Sequence, residues 1–285
     1  MISEKTIIHT IRQRSEEWEN IRSGKLTASE FSIVMGQADE KKVRLISNAP
    51  VPDDFGRAQK QAEVCDQLQK AGQDGLIAAR LNASGLKGLK EKGIIEEFVD
   101  DTGCSLKKER AAEHIDRLLA RKKYTPAECG EFEGNFATER GEEMEELAKI
   151  EFESKTGMEI AEVGFVQHPD LKLVGASPDG LVEDKTFIEI KSPLPQTYYG
   201  YLRKGELPKV YRHQVYGTMA LTGASHCWFM AYHPGEEPLI LRIERTEFCD
   251  NLLQCLHQFE AMYLDQMEHM QRRIEYERQK WEVAS

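Results

Sequence analysis

Residues 173–193 read Leu-Val-Gly-Ala-Ser-Pro-Asp-Gly-Leu-Val-Glu-Asp-Lys-Thr-Phe-Ile-Glu-Ile-Lys-Ser-Pro. Two short β-rich runs flank the polar tip Glu183-Asp184-Lys185, which predicts a hairpin. Side chains alternate across a strand, so Glu189 and Lys191 share one face of the second run and Ile188 and Ile190 the other. The isoleucines anchor the strand in a core. Asp179 then falls across from Glu189, which makes a carboxylate pair with an ammonium beside it. Oxygen ligands of this kind suit Mg2+ or Mn2+ rather than zinc. Such an ion polarises a phosphoryl oxygen, and a second one stabilises both attacking and leaving oxygens. Lys191 would orient a water or offset charge developing on a phosphate. Without a cation the two acids raise each other's pKa. Taken alone, the same residues also read as a Pro-Asp-Gly turn and an amphipathic edge strand.

Outward from this stretch, Ile160–Gln167 and Leu171–Ala176 are strand-like runs divided by His168-Pro169-Asp170, so a β-meander is expected. His168 reads as a candidate ligand or, more simply, as an exposed loop residue. Upstream, Asn135–Thr156 predicts an amphipathic helix with Met144, Leu147, Ala148, Ile150 and Phe152, ended by Gly157. Glu142, Glu143, Glu145 and Glu146 crowd its first half, where the helix dipole favours acids, and one of them is a candidate to face a metal. Further upstream, Ser15 is placed to cap a helix bearing Trp18, Ile21 and Arg22 that ends at Gly24, and Thr27-Ala28-Ser29-Glu30 opens a second helix that stops at Gly36. Arg22, Thr27 and Ser29 meet near the junction. They read either as an anion pocket or as a cap beside a solvated charge.

Downstream, residues 211–222 predict a helix ended by Gly223, followed by strands at 227–233 and 239–243. A long helix over 247–281 carries a stripe of Leu252, Leu256, Phe259, Tyr263, Met267 and Met270 suited to core packing. Residues 37–127 predict helices, from the spacing of Val64 and Leu68 and of Ile115, Leu118 and Leu119. Arg117, Arg121, Lys122 and Lys123 there read as phosphate contacts or as a solvated face.

The chain has 285 residues, 40% of them hydrophobic, enough for a packed core. A net charge of −11 at first argues against a polyanionic partner. Twelve acids against three bases between Glu128 and Glu162 hold most of the excess, while residues 41–127 carry seventeen Lys and Arg against thirteen Asp and Glu. A basic surface elsewhere is compatible with that balance. Six cysteines without CxxC pairs argue against structural zinc and for free thiols in a reducing compartment. The N-terminus lacks the apolar core of a secretory signal, and no apolar run reaches bilayer length, so a cytoplasmic protein, or one in a host cytoplasm if phage-encoded, is expected.

Several short patterns in order resemble the PD-(D/E)xK nuclease superfamily, and more narrowly the lambda-type phage recombination exonucleases. They are Trp18-x-x-x-Arg22-x-Gly24-x-x-Thr27-Ala28-Ser29, Arg140-Gly141-x-x-x-Glu145, Ser177-Pro178-Asp179-Gly180 with Glu189-Ile190-Lys191, and Pro208-x-x-Tyr211-x-x-Gln214-Val215 with Thr222-Gly223 and Trp228. The resemblance implies an α/β restriction-endonuclease-like core, a mixed sheet flanked by helices, in one nuclease domain over 1–285 with a helical insertion at 38–130 and a C-terminal helix. It implies Mg2+, with Mn2+ as a substitute and two ions, held by Asp179, Glu189, the Ile190 carbonyl and Glu145. Lys191 and Gln214 would assist catalysis, and Arg22, Ser29 and Ser177 would line a pocket for a 5′-phosphate. The implied activity is 5′ to 3′ digestion of one strand of linear duplex DNA, leaving 3′ overhangs for a single-strand annealing protein, in some members by a ring-shaped trimer. A structure-specific or single-strand nuclease of the same superfamily, and a non-catalytic DNA-binding or scaffold subunit, are the alternatives.

Overall fold

The computed structural model describes residues 2–45, 77–78, 93–125, 127–130, 136–182 and 185–282. After strand β1 (Ile7–His9), Ser15 caps helix α1 (Glu16–Arg22), its hydroxyl accepting the Trp18 amide. Strand β2 (Leu26–Thr27) follows, then a 3-10 turn at Ala28–Glu30 and the one-turn helix α2 (Phe31–Val34). The Glu30 carboxylate fixes this corner by accepting the Thr27 amide at 3.3 Å and hydroxyl at 3.0 Å. Strands β3 (Met35–Leu45), β4 (Ile77–Ala78) and β5 (Ile95–Leu106) precede helices α3 (Lys108–Arg121) and α4 (Phe136–Thr156). Strands β6 (Ile160–Ala161), β7 (Phe165–Gln167), β8 (Val174–Gly175), β9 (Gly180–Val182) and β10 (Thr186–Lys191) come next. Helices α5 (Pro195–Lys204) and α6 (Arg212–Thr222), strands β11 (His226–Ala231) and β12 (Leu239–Glu244), and helix α7 (Glu247–Glu282) complete the chain.

The chain divides into two compact units, residues 37–103 and the remainder. In the larger unit the central sheet runs β12-β11-β10-β9-β6. It is mixed: β10 and β11 are parallel, joined through α5 and α6, and the other neighbours are antiparallel. Helices cover both faces. Phe187 and Phe229 pack with Val215 and Met219 of α6 and with Leu252, Leu256 and Phe259 of α7. Ile188, Ile190 and Met230 face the other way, onto Ala148 and Phe152 of α4. The alternation read along β10 thus divides two cores. No described helix is long and apolar enough to cross a membrane.

Two expectations need correction. The meander is interrupted, because β7 pairs with β1 and β8 with β2, so that of its strands β6, β9 and β10 join the central sheet. The N-terminal segment supplies these competing edges and is pinned there, with the Leu26 amide on the Leu173 carbonyl at 2.9 Å. Between the runs expected to pair, the described links are a bridge of Val166 with Ala176 and the Gln167 side-chain amide on the carbonyls of Lys172 (3.3 Å) and Val174 (3.4 Å). The insertion expected to be helical over 38–130 is only partly so: its described residues carry the sheet β4-β3-β5 as well as helix α3. Val64 and Leu68 lie outside the described residues. Helix α3, read from Ile115 and Leu118, belongs to the larger unit, where both side chains are buried in its core.

Helix α7 holds the N-terminal corner as well as the core. Tyr263 is buried and donates its hydroxyl to the Gly24 carbonyl at 2.9 Å. Glu260, 7% exposed, accepts the amides of Lys172 (3.0 Å) and Leu173 (2.7 Å) just before β8. Hydrogen bonds to an ionised acceptor are worth more than neutral ones, and removing the acceptor strands its donors. Glu260→Ala is therefore expected to destabilise the protein by about 2–4 kcal/mol, read from urea unfolding midpoints.

Candidate active site

Asp179 sits at a bend between Pro178 and the start of β9. Its amide donates to the Ile188 carbonyl at 3.1 Å, and its Oδ2 accepts the Ile190 amide at 2.6 Å, so one hairpin fixes both its backbone and its carboxylate. Ile188 pairs with Gly180, which places Glu189 across from Asp179 as the spacing predicted. The turn read from Pro-Asp-Gly is not the reason for Gly180. Its backbone is not in the left-handed region; a Cβ there would lie 2.2 Å from Ile160 Cγ2, so the glycine lets β6 close on β9.

Glu189 is 3% exposed. Its Oε1 accepts Gln214 Nε2 at 2.6 Å and pairs with the Lys191 ammonium, which also lies 5.4 Å from the centre of the Tyr211 ring. The crossover between parallel strands explains Gln214: α6 lies on the face toward which Glu189 and Lys191 project. Thr218, one turn further along α6, joins the same pocket and was not singled out from sequence, although its i+4 spacing from Gln214 carried the signal. Tyr216 faces away, edge-on to Phe248 at 5.5 Å and beside Arg212.

Electrostatics follow from this burial. Burial first, and then the Glu189 charge, push the Asp179 carboxyl up to about 8. Glu189 is also raised by burial, against the opposing pull of Lys191. Burial would lower Lys191, but the charges of Glu189 and Asp179 outweigh it and hold the ammonium above its usual range.

Glu145 lines a cleft of about 620 Å3 together with the half-buried Asp179, and its charge reaches both Asp179 and Glu189. Its carboxylate is held by Lys149 at 2.9 Å and Arg14 at 3.5 Å. Among the described residues no three acidic, histidine or cysteine side chains are already gathered for an ion. The donor set nevertheless fits a hard divalent cation: it is all oxygen, and two acids, Glu189 buried and Asp179 half-buried, whose ionisation is opposed would be relieved by a dication. Ile190 directly follows Glu189 in the chain, its amide already given to Asp179. His168 stacks edge-on to His257 at 5.7 Å.

The second half of the site is built on Trp18. Its indole N–H is shared between the Gly164 carbonyl (2.9 Å) and Ser177 Oγ (3.2 Å), and its ring carries the Arg22 guanidinium at 3.9 Å. Thr27 and Ser29 hydroxyls meet at 3.2 Å. Burial lowers the Arg22 pKa, a sign of a cation partly stripped of water. A pocket of about 170 Å3 is lined by Arg22, Ser29, Ser177, Asp179, Gln214 and Thr218 among others. An adjoining cleft of about 420 Å3 brings Arg121 to Arg22 and Ser29; Arg121 also binds Glu30 at 2.7 Å. Residues separated by some 150 positions thus form one wall.

The chain shares its fold with an alkaline exonuclease. That protein, LHK-Exo from Laribacter hongkongensis, matches with a TM-score of 0.53 and 24% identity over 95% of this chain and 100% of its own. Its complex with dAMP matches with a TM-score of 0.52 and 23% identity at the same coverage. A phage-related exonuclease from Haemophilus somnus 129PT is similar at a TM-score of 0.44 and 12% identity, over 88% and 99% of the two chains. Residues 99–225 match the family model of the YqaJ-like viral recombinase domain. No curated protein matches the chain. The family-model match encloses Glu145, Ser177, Asp179, Glu189, Lys191 and Gln214, whereas Arg22 and Ser29 precede it.

Proposed function

We propose that the protein is a Mg2+-dependent exonuclease that digests one strand of linear duplex DNA from its 5′ end and leaves a 3′ single strand for an annealing partner. One observation carries this reading: Arg22, Ser29 and Ser177 line the same small pocket as Asp179 and Gln214. A terminal phosphate bound by the first three residues brings the adjoining backbone to Asp179 and Glu189. Asp179, Glu189 and the Ile190 carbonyl would hold the ion, with Glu145 at a second position and Mn2+ as a substitute. When bound, such an ion supplies Lewis-acid polarisation of the phosphoryl group. Lys191 stays protonated through neutral pH and offers a charged donor to the phosphate, while Gln214 fixes the orientation of Glu189. The fold shared with an alkaline exonuclease, and the match to a viral recombinase domain, support the substrate class.

The test is digestion of end-labelled linear duplex and of closed circular duplex with Mg2+ and with EDTA. Linear DNA is expected to shorten from its 5′ ends only with Mg2+, and circles to persist. Linear duplex left intact with Mg2+, or Asp179→Ala protein as active as wild type, would overturn the reading.

A further inference from the structure

Arg14 is one of two non-glycine residues with left-handed backbone among the described residues, at φ 62°; the other, Lys185, closes a hairpin tip. Such a conformation persists only where the surroundings enforce it, and it concentrates at functional positions. Here both neighbours are tied down. Ser15 returns its amide (3.3 Å) and hydroxyl (2.7 Å) to the Arg12 carbonyl. Gln13 Nε2 bridges the carbonyls of Val163 (2.9 Å) and Pro178 (2.8 Å), the latter adjoining Asp179.

This turn aims Arg14 at a boundary. The 170 Å3 pocket and the 620 Å3 cleft share only Gln13, Arg14 and Asp179 among their lining residues. Gln13 is spent on backbone carbonyls and Asp179 is an acid, so Arg14 supplies the positive charge at the junction. Its side chain is 46% exposed and lies 3.5 Å from Glu145 Oε2, longer than a good charge-assisted hydrogen bond. Arg14 is also close enough for its charge to act on Arg22. A guanidinium matches a phosphate diester bidentately, which a charge contact at that length does not equal.

We propose that Arg14 is a positioning residue for the scissile strand, exchanging Glu145 for the backbone phosphate that lies between the terminal-phosphate pocket and the Asp179/Glu189 pair. The exchange leaves Glu145 paired with Lys149. This inference rests on the exonuclease reading above.

Its test is equilibrium binding of a 5′-phosphorylated duplex, with hydrolysis-resistant phosphorothioates at its terminal linkages, in Mg2+ over a KCl series, for wild type, Arg14→Gln, Arg14→Gly and Arg14→Lys. Loss of one phosphate contact lowers the slope of log affinity against log salt by about 0.9. Arg14→Gln and Arg14→Gly are each expected to show that drop and roughly tenfold weaker binding at 0.1 M KCl, while Arg14→Lys keeps the slope. Arg14→Gly, which relieves the backbone, is expected to melt at or above the wild-type temperature, so weaker binding would not stem from unfolding. Wild-type slope and affinity in Arg14→Gln, with wild type binding and digesting duplex, would overturn this inference alone. Wild type that neither binds nor digests duplex would overturn the exonuclease reading and this inference with it.

Discussion

In EDTA, Asp179→Asn protein is expected to melt well above wild type at pH 8 and level with it near pH 4, while Mg2+-dependent digestion falls by about a thousandfold or more. The cause is the carboxyl raised to about 8 by burial and by Glu189. An unfolded aspartate titrates near 3.9. Between those values the folded chain binds more protons than the unfolded one, so stability falls as pH rises through about 4 to 8. Below pH 4 the group is neutral in both states and the difference closes. Each tenfold displacement of the ionisation equilibrium is about 1.4 kcal/mol, so the penalty at pH 8 is of the order of a few kcal/mol. Asparagine keeps an oxygen for the Ile190 amide and has no proton to lose. A dication would offset the same penalty in the wild type. Metal binding should therefore release protons, and Mg2+ or Mn2+ affinity should climb with pH and level off above about 8. Calorimetric titration of Mn2+ in buffers of different ionisation enthalpy counts those protons. A melting difference independent of pH, or Mn2+ bound equally by the Asn variant, would contradict the assignment.

How much of this was legible in the sequence depends on the range of the interaction that decides it. The pairing of Asp179 with Glu189 is local: a short hairpin and the two-residue period of a strand suffice, and the same period places Ile188 and Ile190 in the opposite core. The helix caps were legible for the same reason, at Ser15 and at Gly223 with its φ of 68°. Helix α5 was overlooked although Pro195 opens it and Gly205 closes it at φ 64°, the usual punctuation of helix ends. The partners of β7 and β8 were not legible. Strands of two or three residues carry almost no periodicity, and their choice of β1 and β2 is made by tertiary contacts such as that of Leu26 with Leu173. The strands of the smaller unit were masked by composition, because runs such as Glu96-Glu97-Phe98-Val99-Asp100-Asp101 are acidic and weakly alternating. The nearness of Arg22 and Ser29 to Asp179 was implied only by resemblance; the physical link is Trp18, whose indole reaches both Gly164 and Ser177.

That link leads to the second large effect, in Arg22→Gln. Digestion of duplex with 5′-phosphorylated ends is expected to slow roughly 10- to 100-fold, from the worth of hydrogen bonds to a charged partner, whereas digestion from 5′-hydroxyl ends changes little. The guanidinium sits over the Trp18 ring at 3.9 Å and is partly desolvated, so it is held in place before an anion arrives. Preorganisation of this kind converts into binding energy because little freedom remains to be lost. Glutamine retains length and some donors but neither the charge nor the fork, and its stacking on the indole is weaker. The metal half should be untouched, since Asp179 is fixed by Ile188 and Ile190 and Glu189 by Gln214 and Lys191, none of which contacts Arg22 in these bonds. Mn2+ affinity in the absence of DNA is therefore expected to match wild type. Equal slowing on phosphorylated and hydroxyl ends would assign Arg22 to general backbone binding rather than to the terminal phosphate. Loss of Mn2+ binding would show that the two halves are not separable. The predicted pattern, end preference lost with metal affinity kept, is one that neither a damaged fold nor a damaged metal site produces.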